Sequence, residues 1–227
     1  LVCDDCSTDK SLEKIKKISR HDKRVKVYQS NGNQGTYNIR NALISSSKGD
    51  YITFQDSDDF SHPDRIYEQL NHIKLNKLKA CSSRWFRINE NGSIVFFIDG
   101  LILRFCVVSM MVHRSVFSYI PKFRSSLVAA DTEFHENCLY FLGEDSIGMI
   151  EKPLIFGLWS DNSLTKAKNL SAENNGFIAE SRRVYSEVSA RQRALGSNLI
   201  SDDDVEKILI ENGIFRKFMG ISSVEID

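Results

Sequence analysis

Apolar and polar positions alternate on a short rhythm through the first third of the chain. Leu1–Cys3 is the end of an apolar run, closed by the polar turn Asp4–Asp9. Leu12, Ile15 and Ile18 then recur at helical spacing among lysines, and Val25 and Val27 alternate as in a strand over residues 24–29. The turn formers Asn31–Gly35 precede a helical pattern over residues 36–47, which stops before Gly49. Tyr51–Phe54 is a further strand, and Ile66, Leu70 and Ile73 mark the helix after it. Strand and helix taken in turn in this way predict a parallel sheet with helices packed on it. Ligands in such sheets bind beyond the carboxyl ends of the strands. Both the Asp4-Asp5 turn and the carboxylates after Phe54 fall on that edge.

Beyond Cys81 the rhythm changes. Residues 94–97 and 106–112 read as strands without long helices between them, the mark of an antiparallel part in a mixed sheet. Residues 131–142 read as a short helix with Phe134, Cys138 and Phe141 on one face, and residues 149–159 as a strand. From Ala172 the pattern is helical, with Phe177, Val184, Val188 and Leu195 on one stripe. A second helix starts at Asp202–Asp204 and runs through Ile208 and Phe215.

Composition narrows the classes. Lys+Arg and Asp+Glu are equal at 30 each, so net charge gives no argument for nucleic acid or an acidic membrane. No apolar run approaches the ~18 residues of a membrane helix. The odd count of 5 cysteines, scattered along the chain, points to reduced thiols and a cytoplasmic setting. Asp4 and Asp5 between Cys3 and Cys6 disfavour the thiolate that a redox pair would need.

The densest chemistry lies in Gln55-Asp56-Ser57-Asp58-Asp59. Carboxylates this close repel one another, and a divalent cation with oxygen ligands would relieve them. An acidic turn leading into the next helix is the structural alternative. Asp131 could serve as a helix cap, Asp202–Asp204 suit a helix N-terminus, and His135 suits a solvated helix face. Arg182, Arg183, Arg191 and Arg193 form either a solvated face or a contact for lipid phosphate at a membrane surface.

Asp4-Asp-Cys-Ser-Thr-Asp9, Asn33-Gln-Gly35 with Arg40-Asn41, Gly49-Asp-Tyr-Ile-Thr-Phe-Gln-Asp-Ser-Asp-Asp59 and Ala130-Asp-Thr-Glu-Phe134 together resemble the family 2 glycosyltransferases. The resemblance implies an α/β fold of the GT-A type, a mixed sheet flanked by helices, over residues 1–165. Residues 166–227 would then be a helical C-terminal extension. It further implies a strand and helix preceding Leu1.

The implied activity is inverting, non-processive transfer of a sugar from a nucleotide sugar, most simply a UDP-sugar, to a glycan or lipid-linked acceptor, with Mn²⁺ or Mg²⁺. Polysaccharide biosynthesis, in the cytoplasm or at the cytoplasmic face of a membrane, is the implied setting. Asp5, with Asp4, would contact the nucleotide base and Arg40 the nucleotide. Asp56 and Asp58 would form the D-x-D element, with Asp58, Asp59 and Asp56 toward the metal. Asp131 would be the catalytic base, with Glu133 as the fallback, and His113 lies near the expected acceptor side. Cys6 stands where the family usually has Gly, and Asn137 where many members have Arg. The Q-x-x-R-W signature of processive synthases is absent, since Arg84-Trp85 lies before the base motif and follows Cys81. The alternative is a GT-A module that binds nucleotide or glycan without turnover.

Overall fold

The computed structural model describes residues 1–97, 99–160 and 179–224. In chain order the elements are β1 (Val2–Asp4), α1 (Ser11–His21), β2 (Val27–Ser30), α2 (Thr36–Ser46), β3 (Tyr51–Thr53) and β4 (Phe60–Ser61). They continue with α3 (Arg65–Asn76), β5 (Ala80–Ile88), β6 (Arg104–His113), α4 (Ala130–Leu142), β7 (Ile147–Leu158), α5 (Glu180–Leu195), α6 (Asp202–Glu211) and β8 (Ile221–Ser223).

The strands form two hydrogen-bonded sheets, β1-β2-β8 and β3-β6-β5-β7-β4. The β1–β2 pair is parallel, as the sequence rhythm predicts. The third strand departs from that prediction: β3 runs antiparallel to β6, pairing Tyr51 with His113 and Thr53 with Met111, and does not pair with β1. The rest of the larger sheet is mixed, with β5 antiparallel to β6 and parallel to β7. β5 has no counterpart in the sequence reading, because its first half (Ala80–Ser83) is buried small residues that give no alternation. Residues 94–97, read as a strand, contribute only an isolated bridge from Ile94 to Ile88.

In four helices the inward face only partly follows the apolar residues read from the sequence. In α1, Ser19 is buried and its hydroxyl donates to the Val25 carbonyl, while Ile18 is exposed. In α3 the buried line is Arg65, Gln69 and Ile73, leaving Ile66 outside. In α4, Phe134 and Cys138 are buried and Phe141 is exposed. In α5 the core contact is Tyr185, Val188 and Ser189, with Leu195 out in solvent. The i, i+4 spacing of these buried residues is that of side chains stacked along one helix face. α6 ends at Glu211, and Gly213 at φ +68° turns the chain before Phe215. Phe177 lies outside the described residues.

The C-terminal segment is not wholly helical. β8 returns to the first sheet antiparallel to β2, with Tyr28 opposite Ser223. α5 and α6 share the main core with α2, α4 and β6 through Tyr185, Val188, Val205 and Leu209. Asp202 and Asp204 fill the N-terminal role expected of them: Ser201 and Asp204 form a capping box.

Candidate active site

Asp131 sits in the first turn of α4, after Ala129 in the left-handed region (φ +61°). It is not the cap residue. Its Oδ1 accepts the Tyr37 hydroxyl at 2.9 Å and the Thr132 backbone N–H at 2.9 Å. Tyr37 is buried, and burial first, then the Asp131 carboxylate, push its phenol well above the ordinary range. Arg182, at the start of α5, acts electrostatically on both Tyr37 and Asp131. Burial lowers the Arg182 guanidinium, and these two groups oppose the shift.

One turn after Tyr37, α2 presents Arg40. Its guanidinium is buried, meets Asp56 Oδ1 at 2.5 Å and lies over the Phe54 ring at 5.1 Å. Burial raises Asp56 above its ordinary value; Arg40 opposes this, and Asp131 and Asp58 add to it. Asp131, Tyr37, Arg40, Asp56 and Asp58 therefore share one electrostatic neighbourhood, set by two adjacent turns of α2.

The three carboxylates of residues 56–59 do not converge. Asp58 is exposed and makes no hydrogen bond or ion pair among the described residues. Asp59 folds inward: its side chain is 4% exposed, Oδ1 accepts the Leu158 N–H at 3.0 Å, and Arg87 stands 3.7 Å away. Burial raises Asp59 to about 6, Arg87 opposes this, and Asp58 and Asp56 add to the rise. Asp59 is thus committed to β7, and its expected place beside a metal is not supported. Among the described residues, no three His, Cys, Asp or Glu side chains form a metal cage. The remaining donors, Asp58 and Asp56, still fit a hard cation of the Mg²⁺ kind, which takes one or two carboxylates together with substrate phosphates.

The other expected residues have structural partners. Asp5 accepts from Ser30 Oγ (2.8 Å) and from the backbone N–H groups of Gln34 (3.0 Å) and Gly35 (2.8 Å). It thereby shapes the loop from which α2 starts, with Gly35 at φ +79°. Asp4 is buried, and its Oδ1 has no partner. Glu133, the fallback base of the resemblance, is buried beneath Arg124 and Tyr185, whose hydroxyl donates to it at 2.5 Å, so its carboxylate is engaged within the core. His113 Nδ1 pairs with Ser115 Oγ at 2.8 Å and caps the turn after β6. Cys6, where Gly is usual, adopts φ +62°.

His135 is partly buried with its ring 4.8 Å from Phe105, not solvated. The arginines of α5 are not a free basic face. Arg183 and Arg191 pair with Glu187, while Arg193 pairs with Glu136 and donates to Asn137.

Sequence reasoning missed Tyr37, Arg65 and Arg87. Arg65 is buried and reaches Thr53 Oγ1 (2.7 Å), the Phe54 carbonyl (2.8 Å), Gln55, Ser61 and the Ser109 carbonyl. It thus pins the strand that leads into Asp56. Arg87 lies 3.6 Å over the Trp85 ring and backs Asp59. For the two arginines the available signal was a charge beside apolar residues, where it is rarely buried without a task; Tyr37 gave none.

Solved structures share the fold of the chain. Staphylococcus aureus TarS residues 1–349, solved with UDP-GlcNAc, superposes with a TM-score of 0.60 at 19% identity, over 93% of this chain and 61% of that one. The mixed sheet with its flanking helices is of the GT-A glycosyltransferase type. Residues 1–118 match the family described as glycosyl transferase family 2. A protein of Haemophilus influenzae named as an uncharacterized glycosyltransferase is 47% identical over 189 residues, 78% of this chain and 70% of that protein. One of Rickettsia conorii is 29% identical over 166 residues, 68% of this chain and 27% of that protein. The chain belongs to glycosyltransferase family 2.

Proposed function

We propose that this glycosyltransferase moves a sugar from a UDP-sugar to a hydroxyl of a glycan or lipid-linked acceptor, with inversion and one sugar at a time. The acceptor oxygen forms a bond to the anomeric carbon as the bond to the diphosphate breaks. UDP leaves with the electron pair, and the hydroxyl proton passes to Asp131. The observation that carries this reading is the placement of Tyr37 on Asp131 and Arg40 on Asp56 by one helix. Asp131 and Asp56, on this reading the base and the diphosphate-side carboxylate, are thereby held in one neighbourhood.

Asp58, with Asp56, would hold Mn²⁺ or Mg²⁺ through carboxylate oxygens. When bound, the ion supplies positive charge against the leaving diphosphate. Arg40 keeps Asp56 in place, and Asp5 keeps the loop before α2 in the shape that admits the nucleotide. The complex of TarS with UDP-GlcNAc supports a uridine nucleotide as the first donor to try. With the α5 arginines paired, a peripheral membrane contact finds no separate support among the described residues.

The test is UDP release from UDP-glucose, UDP-galactose, UDP-GlcNAc and UDP-GalNAc by the intact protein with Mn²⁺. Release from at least one is expected. Tight UDP binding with no release from any would favour a module that binds without turnover.

A further inference from the structure

We propose that Tyr37 is a positioning residue for Asp131, fixing one carboxylate oxygen so that the other is presented to the acceptor hydroxyl. This rests on the reading of Asp131 as base. Oδ1 of Asp131 takes both the Tyr37 hydroxyl and the Thr132 N–H, each at 2.9 Å. Oδ2 accepts no hydrogen bond among the described residues. A half-exposed carboxylate can rotate about its side-chain torsions, and two donors on the same oxygen remove that freedom. The donor on the other side of the bond is itself rigid: Tyr37 is 8% exposed, with its ring 5.7 Å from Phe123.

The bland account is that a buried tyrosine simply needs a partner for its hydroxyl. Two features argue for more. The partner chosen is a half-exposed carboxylate on another element, 94 residues away in sequence. In addition, the Arg40 guanidinium lies 5.7 Å from the Tyr37 ring while it holds Asp56. The α2 helix therefore sets the base relative to the donor-side carboxylate, and an error in that spacing of about 1 Å can cost ~10²-fold in rate.

The experiment compares Tyr37→Phe and Asp131→Asn with wild type in the intact protein. It follows UDP release from the four UDP-sugars, in which water takes the acceptor's place, and UDP affinity with Mn²⁺ by calorimetry. Tyr37→Phe is expected to lower kcat by ~10- to 100-fold. Donor KM and UDP Kd should stay within about twofold, since the hydroxyl touches only the base. A wild-type kcat for Tyr37→Phe, where Asp131→Asn is inactive, would overturn the inference and leave the base intact. A parallel fall in UDP affinity would also overturn it, showing that the hydroxyl merely supports the fold of α2. Full activity in Asp131→Asn, or no release by wild type from any of the four donors, would refute the reading of the base on which this rests.

Discussion

Tyr185 donates its hydroxyl to Glu133 at 2.5 Å, joining α5 to α4 across the main core. Arg124 completes the knot, pairing with Glu133 and with Asp202 of α6 at 3.0 Å each. Glu133 is therefore a structural carboxylate two residues from the candidate base. Glu133→Ala leaves Arg124 without its buried partner and should cost on the order of 3–5 kcal/mol. Glu133→Gln should lower the melting temperature less and leave turnover per folded molecule near wild type. Loss of turnover in Glu133→Gln without a change in melting temperature would contradict this assignment.

Arg65 gathers two backbone carbonyls, from Phe54 and Ser109, with side chains of the strand and loop that carry Asp56. Burial lowers its guanidinium, and Asp56 and Asp59 are among the groups that oppose the shift. Arg65→Met orphans several buried acceptors at ~1–3 kcal/mol each, so chemical denaturation should register a loss of at least ~3 kcal/mol. A loss below ~1 kcal/mol would mean that water replaces the guanidinium at little cost.

His135 links folding to pH. Desolvation against Phe105 lowers its imidazole below the ordinary value, so the unfolded chain binds its proton more readily than the folded one. The contribution is fully present above about pH 6.5 and is lost as pH falls through the folded value. Melting curves from pH 8 to pH 5 should show wild type losing stability relative to His135→Phe. Parallel curves for the two proteins would refute the assignment.

The alternation of strands and helices leads correctly to an α/β layering, and the resemblance carried by the four short motifs leads correctly to the GT-A class. Sheet pairing was not legible. β3 carries the same short apolar signature as β1, yet β6, about 60 residues onward, takes it antiparallel. The inward helix faces were misread where Ser19, Arg65, Gln69 and Ser189 occupy buried positions that an apolar pattern leaves out. The acidic run stands out in the sequence, but its spacing could not say which carboxylate faces out. Only the Leu158 N–H and Arg87, nearly 100 and 30 residues away, decide that Asp59 turns in and Asp58 does not.

Metal dependence should appear in nucleotide binding before any turnover is measured. Asp56 and Asp58 oppose a diphosphate electrostatically, and a divalent ion reverses that sign. Calorimetric titration with UDP should give clear affinity in Mn²⁺ and at least ~10-fold weaker binding in EDTA, with Asp58→Asn weakened even in Mn²⁺. Equal affinity in both buffers would remove the metal from the account.

The most direct test of the central claim is the transfer rate of Asp131→Asn in the intact protein, normalised to folded molecules. The asparagine keeps the Oδ1 acceptor for Tyr37 and Thr132 but cannot take the acceptor's proton. Transfer should fall by ~10²–10⁴-fold, with UDP affinity in Mn²⁺ and melting temperature nearly unchanged. Transfer at the wild-type rate in this variant would contradict the account of Asp131 as the base.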